Sequence, residues 1–202
     1  SSIDDTFVEI GQAEAHDITG ISSIVNNAPD VFSLGSTLIS WTATDNHGNI
    51  TTAYQSITVI DTTAPAIIVP DNITAEVIDP NTNHIELGEL VASDSVGVES
   101  ITNDKPDAFS FGSTTVTWTV IDTSGNISQA TQTVTLIDTT SPEISVPADI
   151  VAEATSLSGN MIELGEATGY DIMGIASVTE HPPRFFVLGE TTIEWTVIDT
   201  SG

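Results

Sequence analysis

The stretch TTVTWTVIDTSGN, residues 114–126, decides the fold. From Thr115 to Val120 apolar residues alternate with threonines, so one face packs against a core and the other meets water, as in a half-buried β-strand. The DTSGN at 122–126 supplies turn chemistry, with Gly125 at a positive-φ position, and a β-rich run from Thr131 to Ile137 completes a hairpin. No stretch of the chain shows helical periodicity.

The same motif recurs. Trp41, Trp118 and Trp195 are each 77 residues apart, and Gly35, Gly112 and Gly189 keep the same phase. Comparing 61–125 with 138–202 gives 33 identities in 65 positions, with DTT-x-P, IELGE and WTVIDTSG shared outright. Repetition at this scale marks tandem modules. Phasing from the DTTAP at 61–65 and the DTTSP at 138–142 gives three: 1–60 without its first strand, a complete 61–137, and 138–202 without its last strand. Either this is a segment of a longer array, or incomplete modules complete one another between chains by strand addition.

Within the middle module, the runs 67–69 and 73–77 read as one edge strand kinked at Pro70 and Asp71. Further strands are expected at 85–92 and 98–102, with a short return at 109–112. About seven short strands with a Trp on an inner face give an all-β chain of tandem immunoglobulin-like β-sandwich modules. Trp41, Trp118 and Trp195 are expected to be buried between sheets.

Composition narrows the function. Among 202 residues, 29 are acidic and only Lys105 and Arg184 are basic, a formal net charge of −27. Nucleic acids and anionic membranes both require clustered Lys and Arg, so neither is an expected partner. Hydrophobic residues make up 39% of the chain, which removes it from the class of disordered acidic tails. There is no cysteine, hence no disulfide framework and no thiolate metal site. No membrane span is expected in this segment.

Assembled in order, DTTAPAIIVP at 61–70, AEV at 75–77, IELGE at 85–89, Asp94, the FSFG and TTVTWTVID runs, SGN at 124–126 and TVTLID at 133–138 resemble the hyalin repeat, or HYR, module. The resemblance implies an immunoglobulin-like domain used in tandem, an extracellular or cell-surface location, adhesion or matrix architecture and no catalysis. Joined to the cysteine-free acidic composition, it suggests a prokaryotic surface protein.

Alternating strand directions bring three features of such a sandwich to one pole: the inter-module linker, the loop after Ala92 and the hairpin loop. The aspartates there are Asp61, Asp94 and Asp122 in the middle module and Asp138, Asp171 and Asp199 in the next. Asp17 and Asp45 are the corresponding pair in the first. Converging carboxylates repel unless a hard cation bridges them, and oxygen donors without in-phase His or Cys favour Ca²⁺. The competing reading is that each aspartate caps its own loop.

His16, His47, His84 and His181 fall at four different phases, so no repeated histidine site exists. Asn49, Asn72 and Asn126 each begin an N-x-[ST] sequon, a glycosylation acceptor pattern in a secreted protein. The functional expectation is a structural segment of an extracellular tandem-repeat protein, a fibre, stalk, adhesin or surface-layer spacer, stiffened by calcium at its junctions. It would associate with itself or with neighbouring modules. The alternative is a spacer or carbohydrate-binding accessory module of a larger secreted enzyme.

Overall fold

A computed structural model describes residues 6–202; the first five residues of the expected 1–60 module lie outside it. The described residues contain thirteen strands and no helix. In chain order they are β1 (Ile21–Asn26), β2 (Gly35–Asp45), β3 (Ile50–Val59), β4 (Ala66–Ile68), β5 (Ile73–Glu76), β6 (Val91–Ser93), β7 (Val98–Asn103), β8 (Gly112–Asp122), β9 (Ile127–Ile137), β10 (Glu143–Ser145), β11 (Thr168–Tyr170), β12 (Ile175–Glu180) and β13 (Trp195–Asp199). The fold is an all-β sandwich, and no helix among these residues is long and apolar enough to cross a membrane.

Strand spacing follows the sequence period. β1, β7 and β12 begin 77 residues apart, as do β4 and β10, and β6 and β11. Registers repeat with the strands. Ile67 faces Ala92 in the β4–β6 pair, and Ile144 faces Gly169 in the β10–β11 pair. A shift interrupts the ladder between Ile21 and Ser23, between Val98 and Ser100, and between Ile175 and Ser177. Such a β-bulge sharpens the local twist where the strand leaves the loop.

The decisive hairpin is β8–β9. Along β8 every second side chain from Val116 to Asp122 is buried, and along β9 the buried set is Gln132, Val134 and Leu136. Of the ten buried apolar side chains, eight lie between Val77 and Leu136, so the core is concentrated there. Trp118 is 6% exposed. The expectation for the other two tryptophans needs correcting, because Trp41 and Trp195 are only half-buried.

One strand assignment also changes. Residues 67–77 do not form a single kinked edge strand. β4 pairs antiparallel with β6, whereas β5 pairs parallel with β9, aligning Ile73 with Val134 and Ala75 with Leu136, so the chain changes sheet between them. Pro70 lies in that gap and cannot donate to a ladder, which ends one pairing and frees the chain to begin the other. The middle of the chain thus holds a two-stranded sheet, β4–β6, and a four-stranded sheet in the order β5–β9–β8–β7. The strand expected at 85–92 shrinks to β6 at its far end, and a single bridge from Asn83 to Phe109 precedes it.

Buried polar groups complete this core. Gln132 has no exposed surface, and its Nε2 donates to the carbonyls of Asp71 (2.7 Å) and Leu87 (3.0 Å). Asn83 accepts from Ile78 N at Oδ1 and donates from Nδ2 to the carbonyls of Asp79 and Phe109. Both side chains satisfy main-chain groups in irregular stretches outside the strands, at Asp71, Ile78, Asp79, Leu87 and Phe109.

By compactness the chain divides into two units: residues 1–69, 89–103 and 117–130 form one, and residues 70–88, 104–116 and 131–202 the other.

Candidate metal centre

Asp61, Asp94 and Asp122 lie within the first unit and Asp138, Asp171 and Asp199 within the second. In each trio one carboxylate oxygen per residue lies within 4.8 Å of the other two. The elements that place them are the same in both. The first aspartate of each set belongs to the segment joining one repeat to the next, the second follows a three-residue strand, and the third is the last residue of a strand, the eleven-residue β8 in one set and the five-residue β13 in the other. A 77-residue shift maps one trio onto the other.

Each aspartate also holds its own turn. Oδ1 of Asp94 accepts from the amides of Val96 (2.7 Å) and Gly97 (3.3 Å), and Oδ1 of Asp61 from Thr63 N (3.0 Å). Oδ1 of Asp122 accepts from Ser124 N and Asn126 N, both at 2.8 Å. In the second trio, Asp171 accepts from Met173 N, Asp138 from Thr140 N, and Asp199 from Ser201 N and Gly202 N. Capping and convergence, set against each other in the sequence, are therefore compatible. One oxygen fixes the loop, and the fixed loop presents the carboxylate to its neighbours.

Asp17 and Asp45 are placed at the equivalent strand ends. Asp17 accepts from Thr19 N (2.7 Å), and Asp45 accepts from His47 N, Asn49 N and Asn49 Nδ2. They form no trio among the described residues.

Asn126 is the residue that sequence reading assigned to a different task. Its Nδ2 lies 2.8 Å from Oδ2 of Asp122, 3.1 Å from the Thr63 carbonyl, and 3.3 and 3.4 Å from the carbonyl and Oδ2 of Asp61. That nitrogen is the atom a glycan would occupy, and here it ties the hairpin to the linker. Asn49 uses its Nδ2 on Asp45 in the same way, whereas Asn72 is exposed and accepts from Thr133 N through Oδ1. The shared phase of Asn49 and Asn126 was the signal available for this bracing role.

Charge at the site is set by opposing effects. Asp122 is fully buried, which pushes its carboxyl up, but the Asn126 side chain and the amides of Asn126, Ser124 and Gly125 outweigh this and hold it below its ordinary value. Asp45 is lowered chiefly by the Asn49 side chain and amide. Asp122 is thus ionised at neutral pH, in close company with two more acidic residues. A hard divalent ion fits this donor set, which is entirely oxygen and half or more buried, whereas soft transition metals would need the His or Cys it lacks.

A second clamp sits on β5. Glu76 accepts from Thr139 N (2.7 Å) and from the hydroxyls of Thr139 and Thr140, so it grips the DTT of the following linker; these bonds, the Thr139 amide first, lower its pKa.

Comparison with known proteins accords with this architecture. The chain is 34% identical over 197 residues to hyalin of Strongylocentrotus purpuratus and 34% identical over 203 residues to hyalin of Lytechinus variegatus. Each match covers 90% of this chain but only 16% and 37% of the two relatives, so the chain spans well under half of either. Both relatives come from sea urchins, and a prokaryotic source finds no support. The match carries with it an extracellular or cell-surface location. Residues 60–136, which contain most of the buried core and the first aspartate trio, match the model of the HYR domain.

Proposed function

We propose that this chain is a structural segment of an extracellular tandem-repeat protein, built from modules at 1–60, 61–137 and 138–202 and stiffened where modules join by Ca²⁺ held between linker, loop and hairpin aspartates. The observation that carries the proposal is the recurrence of the same three-carboxylate cluster, at the same three structural positions, 77 residues apart. A lone acidic cluster is commonplace on a protein with a net charge of −27; the same cluster built twice from linker, loop and strand end is a junction device. Bound there, the ion supplies positive charge and a coordination shell. The chain supplies oriented carboxylates, held in place by the turns they cap and by Asn126.

A linker tied to two loops of its module cannot swing freely, and stiffness of this kind suits a fibre, stalk or adhesive layer. Extracellular Ca²⁺ modules typically bind with dissociation constants of about 10⁻⁴–10⁻³ M, enough where the ion is millimolar. Titrating the chelated chain with Ca²⁺ by calorimetry tests the reading. The expected result is saturable binding in that range, lost when Asp94 and Asp171 are both changed to Asn. Adhesion and self-association are the functions such segments would serve, the partner being neighbouring modules or other copies.

A further inference from the structure

Asn49, Asn72 and Asn126 share one acceptor pattern, but the fold commits their side chains differently. Asn126 is half-buried, and its Nδ2 lies 2.8 Å from Oδ2 of Asp122, 3.1 Å from the Thr63 carbonyl and 3.3 Å from the Asp61 carbonyl. An N-linked sugar replaces one of the two hydrogens on that nitrogen, so these acceptors would be left to share a single donor. Asp122 has no exposed surface, and water has no access to make good the loss. The last residue of the pattern is engaged as well, because Ser128 Oγ donates to the Pro65 carbonyl at 2.6 Å. At Asn49, Nδ2 donates to Oδ2 of Asp45 at 2.7 Å, and this bond is the foremost cause of the lowered Asp45 carboxyl.

Asn72 is arranged the other way. It is exposed, and the main-chain amide of Thr133 donates to its side chain at 2.8 Å. An amide hydrogen needs an acceptor, so the atom held by β9 is Oδ1, and the planar carboxamide turns its nitrogen away from that strand. Among the described residues no group accepts from this Nδ2. Asn72 stands one position before Ile73, which is aligned with Val134, so it enters β5 with its oxygen committed to the sheet and its nitrogen free. β5 is the edge of its four-stranded sheet, and no strand of that sheet lies on its other side. Thr74, the last residue of the pattern, is exposed.

We propose that Asn72 carries an N-linked oligosaccharide, and that Asn49 and Asn126 stay unmodified in the folded protein. The donor is a diphosphate-activated oligosaccharide of the secretory route. The bond from its anomeric carbon to the diphosphate oxygen breaks with the electron pair leaving on the diphosphate, the bond from that carbon to Nδ2 forms, and Nδ2 gives up one proton to a base. The proposal rests on the extracellular location and is independent of calcium at the junctions. At Asn72 the sugar displaces no hydrogen bond, and the open side of β5 gives it room.

The test secretes the whole chain from cultured animal cells behind an added leader, so that the outcome reports on the site and not on the natural route. In the folded fraction, occupancy at each of the three asparagines is read by mass spectrometry after an amidase removes the glycan and leaves Asp in its place. Expected is a glycan at Asn72, with occupancy at Asn126 about tenfold or more lower, the factor that stranding a buried acceptor imposes on folding. Thr74→Ala keeps Asn72 and its bond to Thr133 but breaks the acceptor pattern, so this variant should fold and lose the Asn72 glycan. A bare Asn72 in folded wild type, occupancy of Asn49 or Asn126 equal to that of Asn72, or a glycan retained on Asn72 in Thr74→Ala would overturn the proposal.

Discussion

The Asn126 side chain bonds both sides of the first trio's junction, Asp122 on the hairpin and Asp61 and Thr63 on the linker. Changing it to Ala removes its amide bonds to Asp122, to Asp61 and to the Thr63 carbonyl, and leaves Asp122 buried with one fewer donor. The expected loss is about 1–3 kcal/mol in urea unfolding, the range for stranding a buried hydrogen-bonding group. Trp118→Ala should cost more, roughly 3–5 kcal/mol, because it removes the bulkiest side chain of the buried core. The two residues differ in how legible they were. Trp118 announces itself through β-alternation and period, yet Trp41 and Trp195 carry the same signals and are only half-buried, so sequence located the inward face but not the depth of burial. Asn126 sits in a sequon after a turn glycine, and its bonds to Asp61 and Thr63 become visible only once the fold brings the linker beside it. The aspartate trios lie between these cases: strand direction and phase predicted their convergence, but not that each would cap its own turn with the same carboxylate. Gln132 and Asn83 were missed although Gln55 and Asn160 repeat their phases, because polar residues in a threonine-rich chain read as solvent-facing.

At the scale of elements, the hairpin β8–β9 and the 77-residue spacing of β1, β7 and β12 follow from the binary pattern of the sequence. The change of sheet between β4 and β5 does not. Both halves are short apolar runs, and which sheet the second half joins depends on β9, which is distant in sequence. Once there, β5 places Glu76 on the linker. The folded-state pKa of Glu76 is lowered, so between its ordinary value of 4.5 and that lowered value the unfolded chain binds more protons than the folded one. The contribution of this clamp is therefore present at neutral pH and lost as the pH falls through the lowered value. Glu76→Ala should reduce the urea midpoint at pH 7, and the gap from wild type should narrow as unfolding is measured below pH 4.5. A gap that is constant with pH would show that the carboxylate's charge plays no part in holding the linker. Gly88 tests the same region: its φ is +83° and an added Cβ would lie 3.3 Å from Pro70, so Gly88→Ala should destabilise by about 1 kcal/mol or more.

For the whole molecule the governing quantity is charge. With 29 acidic residues against two basic ones, ion pairing within the chain cannot balance the carboxylates, which leaves cations from solution as the available counter-charge. Monovalent salt screens all of them alike, whereas an ion held by the trios acts at two places. A ligand that binds the folded state alone stabilises it by about 1.4 kcal/mol per tenfold excess over its dissociation constant, which is several degrees for a module of this size. The most direct test is the melting temperature in millimolar Ca²⁺ and after chelation, at constant ionic strength, for wild type and for the Asp94→Asn, Asp171→Asn double variant. Calcium is expected to raise the wild-type melting temperature by several degrees and to leave the double variant almost unmoved. Equal melting temperatures for wild type with and without Ca²⁺, or an undiminished calcium response in the variant, would contradict calcium at the junctions and leave the aspartates as turn caps.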